Sequence, residues 1–148
     1  MTWTALHDAC EHQDIEAVLQ ILKANSDEAV NIDDHGETPL HIACWTNPPL
    51  KVVEALIAAF PQAVTDQDVH GDTPLHVALT NPKTSCEVVH ALLKACPSVA
   101  SIANKEGLYP LHKACRHCPD EKVIEVLLEE YPYALRNPIK VSTCLCSV

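Results

Sequence analysis

The sequence predicts an all-α fold, an α-solenoid of stacked helix–turn–helix units joined by β-hairpin-like loops. Three observations carry this. The three glycines, Gly36, Gly71 and Gly107, stand 35 and 36 residues apart. Nine of the eleven prolines fall into three sets of the same phase: Pro39/Pro74/Pro110, Pro48/Pro82/Pro119 and Pro61/Pro97/Pro132. Two apolar stripes of helical spacing recur in each period. A repeat of this length marks an array, and in-phase breakers mean in-phase turns, because Gly supplies positive φ and Pro opens or stops a helix.

Each unit begins with a short helix whose stripe has i, i+3, i+4 spacing: Leu6/Ala9/Cys10, Leu40/Ala43/Cys44, Leu75/Ala78/Leu79 and Leu111/Ala114/Cys115. Thr4, Thr38 and Thr73 stand where an N-cap belongs, and Pro39 and Pro74 follow at the first helical position, where no amide hydrogen is missed. Tyr109 replaces Thr in the fourth unit. A longer second helix follows: Val18/Ile21/Leu22, Val53/Leu56/Ile57/Phe60, Val89/Leu92/Leu93/Cys96 and Ile124/Leu127/Leu128/Tyr131. Pro61, Pro97 and Pro132 end the last three, since proline cannot donate the next ladder bond. One helix pair cannot bury such stripes alone, whereas stacked pairs bury each other's. The expected units span about 1–30, 31–65, 66–101 and 102–137, with 138–148 an irregular tail.

Composition narrows the function. Ten Lys+Arg against twenty Asp+Glu give a formal charge of −10, which a phosphate surface repels, so nucleic acid is not an expected partner. The first sixteen residues hold four acids and no base, and no apolar run reaches the roughly eighteen residues of a span, so neither a signal peptide nor a membrane is expected. Eight Cys recur partly at one repeat position and do not form a close-set disulfide framework. A reducing compartment, cytoplasmic or nuclear, is expected. No phosphate-cradling Gly loop, nucleophile elbow or His-Glu-x-x-His helix is present. No enzyme activity, cofactor or bound metal is therefore expected.

The runs Thr38-Pro39-Leu40-His41-Ile42-Ala43-Cys44, Thr73-Pro74-Leu75-His76-Val77-Ala78-Leu79 and Tyr109-Pro110-Leu111-His112-Lys113-Ala114-Cys115 closely resemble the ankyrin repeat. Thr4-Ala5-Leu6-His7 is a weaker fourth copy. Upstream, Asp33-Asp34-His35-Gly36, Asp68-Val69-His70-Gly71 and Asn104-Lys105-Glu106-Gly107 resemble its hairpin tips. One or two extra residues join the paired helices in units two to four, through Asn47-Pro48-Pro49, Asn81-Pro82 and Cys118-Pro119, and the loop's usual Gly is absent. The resemblance implies that His41 and His76 bond the capping Thr38 and Thr73 and a neighbouring backbone group, and that Gly36, Gly71 and Gly107 are structural.

It also implies a protein or peptide partner on the strip made by hairpin tips and the outward positions of the first helices. Carried over position by position, the strip comprises Trp3, Glu11 and His12; Asp34, His35, Glu37, Trp45 and Thr46; Val69, His70, Asp72, Thr80 and Asn81; and Lys105, Glu106, Leu108, Arg116 and His117. Formal charge along the chain falls from −5 over residues 1–30 to −1 over 102–137. Trp and Arg dominate interface hot spots, which makes Trp45 the expected anchor, with Arg116 toward the far end. The rival reading of Trp45 folds it over the Asn47-Pro48-Pro49 loop, and Trp3 could equally cap the first stack.

The leading expectation is a non-enzymatic protein-binding module, a monomer or part of a larger complex. One alternative is a metal- or redox-responsive protein using His112, Cys115, His117 and Cys118 with the tail cysteines Cys144 and Cys146. Against it, Cys115 repeats the core position of Cys10 and Cys44. Another alternative is a regulatory or inhibitory subunit of an enzyme or transcription factor. Family resemblance also raises hydroxylation of Asn31, in the Ala-Val-Asn approach to a hairpin.

Overall fold

The computed structural model describes residues 3–117 and 120–133. Residues 138–148, together with Cys118 and Pro119, lie outside the described residues. Four helix pairs follow one another: α1 (Ala5–Glu11) with α2 (Ile15–Ala24), α3 (Pro39–Thr46) with α4 (Leu50–Ala59), α5 (Pro74–Ala78) with α6 (Cys86–Ala95), and α7 (Pro110–His117) with α8 (Glu121–Glu130). The first helices pack in a row, α1 on α3, α3 on α5 and α5 on α7, and the second helices form a parallel row, α2 on α4, α4 on α6 and α6 on α8. This is a stack of repeats sharing one continuous core.

The core is made largely by the predicted stripes, joined in the fourth unit by Val123, which lies outside the expected Ile124/Leu127/Leu128/Tyr131 stripe. Leu6, Leu40, Leu75 and Leu111 are buried in the first row, and Val18, Val53, Leu56, Val89, Leu92, Val123 and Leu127 in the second. The second helices stop where the prolines require. Phe60, Cys96 and Tyr131 are C-caps whose amides reach the carbonyls of Leu56, Leu92 and Leu127. After the second helix of the first three units comes an element that the sequence pattern did not announce, a single 3-10 turn over Ser26–Val30, Pro61–Val64 and Pro97–Ser101. Each turn drops small apolar residues into the core: Ala29, then Ala63 and Val64, then Val99 and Ala100.

The loops inside the helix pairs solve the missing glycine in different ways. Gln13 (φ 56°) and Asn47 (φ 57°) take the left-handed conformation themselves. Asn is among the side chains that tolerate this region best. In the third unit α5 is only five residues long. The extra residues form a turn closed by the Thr84 hydroxyl donating to the Ala78 carbonyl and by the Asn81 side chain accepting from the Lys83 amide at 3.0 Å.

The hairpin-like tips are built as turns, not as paired strands. No strand occurs among the described residues. Each tip is a tight turn, as where Asp33 N donates to the Glu37 carbonyl at 3.0 Å and Gly36 N to the Asp33 carbonyl at 3.2 Å. Main-chain bonds join successive tips, Val69 N to His35 O at 2.9 Å and Lys105 N to His70 O at 3.0 Å. Rungs of that kind tie the turns together without building a ladder. Among the described residues no helix is long and apolar enough to cross a membrane.

Candidate protein-binding surface

The strip is positioned by two repeated polar devices. In the first, the backbone N–H of Thr4, Thr38, Thr73 and Tyr109 donates to Nδ1 of the His three residues on, at 3.2, 3.1, 3.2 and 2.9 Å. The three Thr hydroxyls also sit 2.9 Å from that nitrogen. An N–H can only donate, so Nδ1 is the acceptor and the proton rides on Nε2. Nε2 of His7, His41 and His76 donates into the next unit, to the carbonyls of Glu37, Asp72 and Leu108 at 3.1, 3.2 and 3.0 Å. Burial pushes the pKa of all three imidazoles below the ordinary value, against the pull of those carbonyls and nearby acids, which keeps them neutral.

The second device shapes the tips. The Asp33 carboxylate accepts from the amides of His35 and Glu37, both at 2.8 Å, and Asp68 from His70 and Asp72 at 2.8 and 2.9 Å. The Asn104 side chain accepts from Glu106 and Leu108 at 3.0 and 2.9 Å. Asp33, Asp68 and Asn104 recur at 35 and 36 residues. That period is the signal that could have singled them out, whereas residue type alone makes them look like ordinary tip residues. Gly36, Gly71 and Gly107 complete the turns at φ 74°, 77° and 71°.

Of the residues expected on the strip, Trp3, Glu11, His12, Asp34, His35, Trp45, Val69, His70, Lys105, Glu106, Arg116 and His117 are exposed. Glu37, Thr46, Asp72, Thr80 and Asn81 are half-buried, and most of these are bound internally. Thr46 donates to Cys10 and Ala43 carbonyls, Thr80 to Val77, and Asn81 to the Trp45 carbonyl. Asp72 pairs with Lys113 at 3.0 Å and accepts from Asn104 at 2.7 Å. Leu108 is a correction. It is 6% exposed, its amide is held by Asn104 and its carbonyl by His76, so its apolar side chain turns inward and presents nothing to a partner. The loop-covering reading of Trp45 is also overturned, because that side chain is 61% exposed.

Two clefts indent the strip. Trp3, Glu11, Asp33, His35, Glu37, Ile42 and Trp45 line one of about 360 Å³. Val69, His70, Asp72, Asn104, Lys105, Glu106 and Lys113 line another of about 340 Å³. The first carries three carboxylates and no Lys or Arg, and the second carries two lysines balanced by Asp72 and Glu106. Trp3 is held by its ring against His7, 5.4 Å between centroids. The Glu37 carboxyl is pushed above its usual pKa by burial and by the charges of Asp33 and Asp68, opposed by His35 and His70. A further depression, about 630 Å³, lies instead over α4, α6 and α8, with Leu50, Ala91 and Val126 among its lining residues and Glu54, Glu87, Glu129 and Glu130 also lining it.

The cysteine-rich alternative gains nothing from the geometry. Among the described residues, the one acidic/His/Cys group with ligand atoms mutually within 4.8 Å is Asp8, Glu11 and His12, all exposed. It does not include His112, Cys115 or His117, while Cys118, Cys144 and Cys146 fall outside the described residues. Burial raises the Cys10 thiol to about 12 and raises Cys44 as well, which leaves both as inert core thiols at neutral pH.

A family model described as Ankyrin repeats (3 copies) matches residues 1–68 and 50–137. A search of curated proteins finds no match. Ankyrin repeats are generally protein–protein interaction modules and typically non-enzymatic. Four stacked helix pairs, tips bonded in series, the Thr-Pro-Leu-His caps and this match over most of the sequence together show that the chain belongs to the ankyrin-repeat family.

Proposed function

We propose that the chain is a non-enzymatic module that captures a protein or extended peptide along the strip of tips and first helices, with residues 1–137 as the binding domain. The observation that carries this reading is the exposure of Trp45 at 61% on the last turn of a helix otherwise buried. A large aromatic left in water has no packing reason to be there, and indole is a preferred interface anchor. The acidic lining of the first cleft, with no Lys or Arg in it, supports a fit that puts a basic part of the partner near Trp3 and Trp45. The test is capture from native lysate by the wild type and by a Trp45→Ala/Arg116→Glu variant, with bound proteins identified by mass spectrometry. A specific partner lost in the folded variant is expected. A partner retained undiminished would place binding elsewhere on the molecule.

A further inference from the structure

The cleft between Trp3 and Trp45 has a chemistry more specific than general affinity for protein. Its apolar part is two indoles and Ile42, and its charged part is Glu11, Asp33 and Glu37. Trp3 precedes the N-cap of α1 and Trp45 lies in the last turn of α3, so they come from different units and different places within a unit. Stacking α1 on α3 brings them to one concavity.

Asp33 is already buried and bonded to two amides, but an apolar side chain entering this cleft would desolvate the carboxylates of Glu11 and Glu37 and give them nothing in return. An acidic one would be repelled. A cation satisfies both halves, because the indole face attracts positive charge through its quadrupole and the carboxylates accept charge-assisted hydrogen bonds. Among biological cations the guanidinium group fits best. It is planar enough to stack on indole, weakly hydrated, and forked to bond carboxylates in pairs. Resting on the binding function proposed above, we propose that this cleft receives an arginine side chain of the partner, stacked on an indole and held by Glu11 and Glu37, while Asp33 adds charge from the tip it shapes.

Glu37 is suited to this part because its backbone is fixed from both sides. Its amide is bound by Asp33 and its carbonyl receives both Asp33 N and His7 Nε2. The carboxylate therefore projects from a rigid base, which reduces the ordering cost of binding.

The chain contains two tryptophans, and both line this cleft, so tryptophan fluorescence excited beyond the tyrosine absorption band reads the site alone. The experiment titrates the full chain with capped pentapeptides, four glycines around a central arginine, lysine, citrulline or glutamate. Citrulline keeps the shape of arginine and removes the charge. The expected result is a saturable change with the arginine peptide and binding about tenfold weaker, or worse, with citrulline. A Glu11→Gln/Glu37→Gln variant, folded by circular dichroism, should lose the arginine response. Equal responses to arginine and citrulline would overturn the proposal, as would no saturable response to arginine, or lysine binding as tightly as arginine. If the arginine peptide fails while lysate capture still depends on Trp45 and Arg116, the cation assignment falls and the binding function stands. If both fail, both fall.

Discussion

The imidazole of His76 donates through Nε2 to the carbonyl of Leu108 at 3.0 Å, from the first helix of one unit to the turn entering the next. The same ring accepts the Thr73 amide at Nδ1. One neutral side chain thus ties a helix start, its cap and the following unit together, and His7 and His41 repeat the arrangement. The array is joined by polar bonds of fixed proton position as well as by its apolar stripes.

That arrangement makes stability depend on pH. Protonating Nδ1 would set a donor against the Thr amide that donates to it, and burial already lowers these pKa values below 6.5. The unfolded chain then binds more protons than the folded one as pH falls through 6.5, so unfolding free energy must fall too, by up to about 1.4 kcal/mol per pH unit for each such His. Glu37 and Asp66, whose pKa values are raised, act in the opposite sense, with stability rising as pH drops, but in the lower carboxylate range. Urea midpoints should therefore decline from pH 7.5 to 5.5 at constant slope. A flat profile would mean that these imidazoles are not held neutral.

The glycines predict a graded pair of variants. All three tip glycines have positive φ, so alanine at Gly36 should cost about 1–2 kcal/mol from backbone conformation. At Gly71 the new Cβ would also lie 2.7 Å from the Lys105 backbone nitrogen, against 3.5 Å to the nearest atom at Gly36. The atom in the way is main chain and bonded to His70, so it cannot swing aside. Thermal melts should rank Gly71→Ala well below Gly36→Ala, and equal losses would contradict the close approach of the tips.

Asp68 and Asp34 look alike in the sequence and should behave differently. The Asp68 carboxylate accepts two backbone amides, and charge-assisted bonds of this kind contribute about 1.5–3 kcal/mol. Asp34 is exposed, and a surface substitution there should stay within about 0.5 kcal/mol. Chemical denaturation of Asp68→Ala and Asp34→Ala checks this, and a large loss at Asp34 would argue against the tip geometry.

The stripes, caps and stops were legible because each is local chemistry written several times in phase. The contacts of Thr38 with His41 and of Thr73 with His76 were implied by the resemblance to the ankyrin repeat, and their three-residue spacing places each pair within one helical turn. The 3-10 turns were not legible, since a four- or five-residue element such as Pro61–Val64 carries no stripe long enough to have a period. Leu108 was misplaced because the other members of its column in the repeat, Trp3, Glu37 and Asp72, keep some exposure, whereas Leu108 is the one that is buried. The pairing of Trp3 with Trp45 was hidden for the converse reason. The two occupy different columns, 42 residues apart, and only the stacking of α1 on α3 brings them to one cleft.

The shared core gives the largest expected loss. Leu56 is 1% exposed in the second-helix row, and truncation to alanine should cost roughly 2–5 kcal/mol as lost transfer energy plus cavity. Because neighbouring units stabilise each other in an array, the loss should appear in the whole unfolding transition of this short stack and not in one unit. A Leu56→Ala protein of undiminished stability would contradict the packing described.

Trp45 and Leu108 then separate binding from folding. Trp45 is 61% exposed and Leu108 6% exposed, so a large side chain removed from the first leaves no cavity while a smaller one removed from the second does. Trp45→Ala should melt within a few degrees of wild type, and Leu108→Ala should lose about 2–5 kcal/mol. Partner capture should show the reverse order, abolished by Trp45→Ala and retained by Leu108→Ala at temperatures where that variant remains folded. If Trp45→Ala unfolds the chain, the indole is a packing residue and the strip loses its anchor. If Leu108→Ala is stable yet cannot bind, the inward orientation of that side chain is wrong.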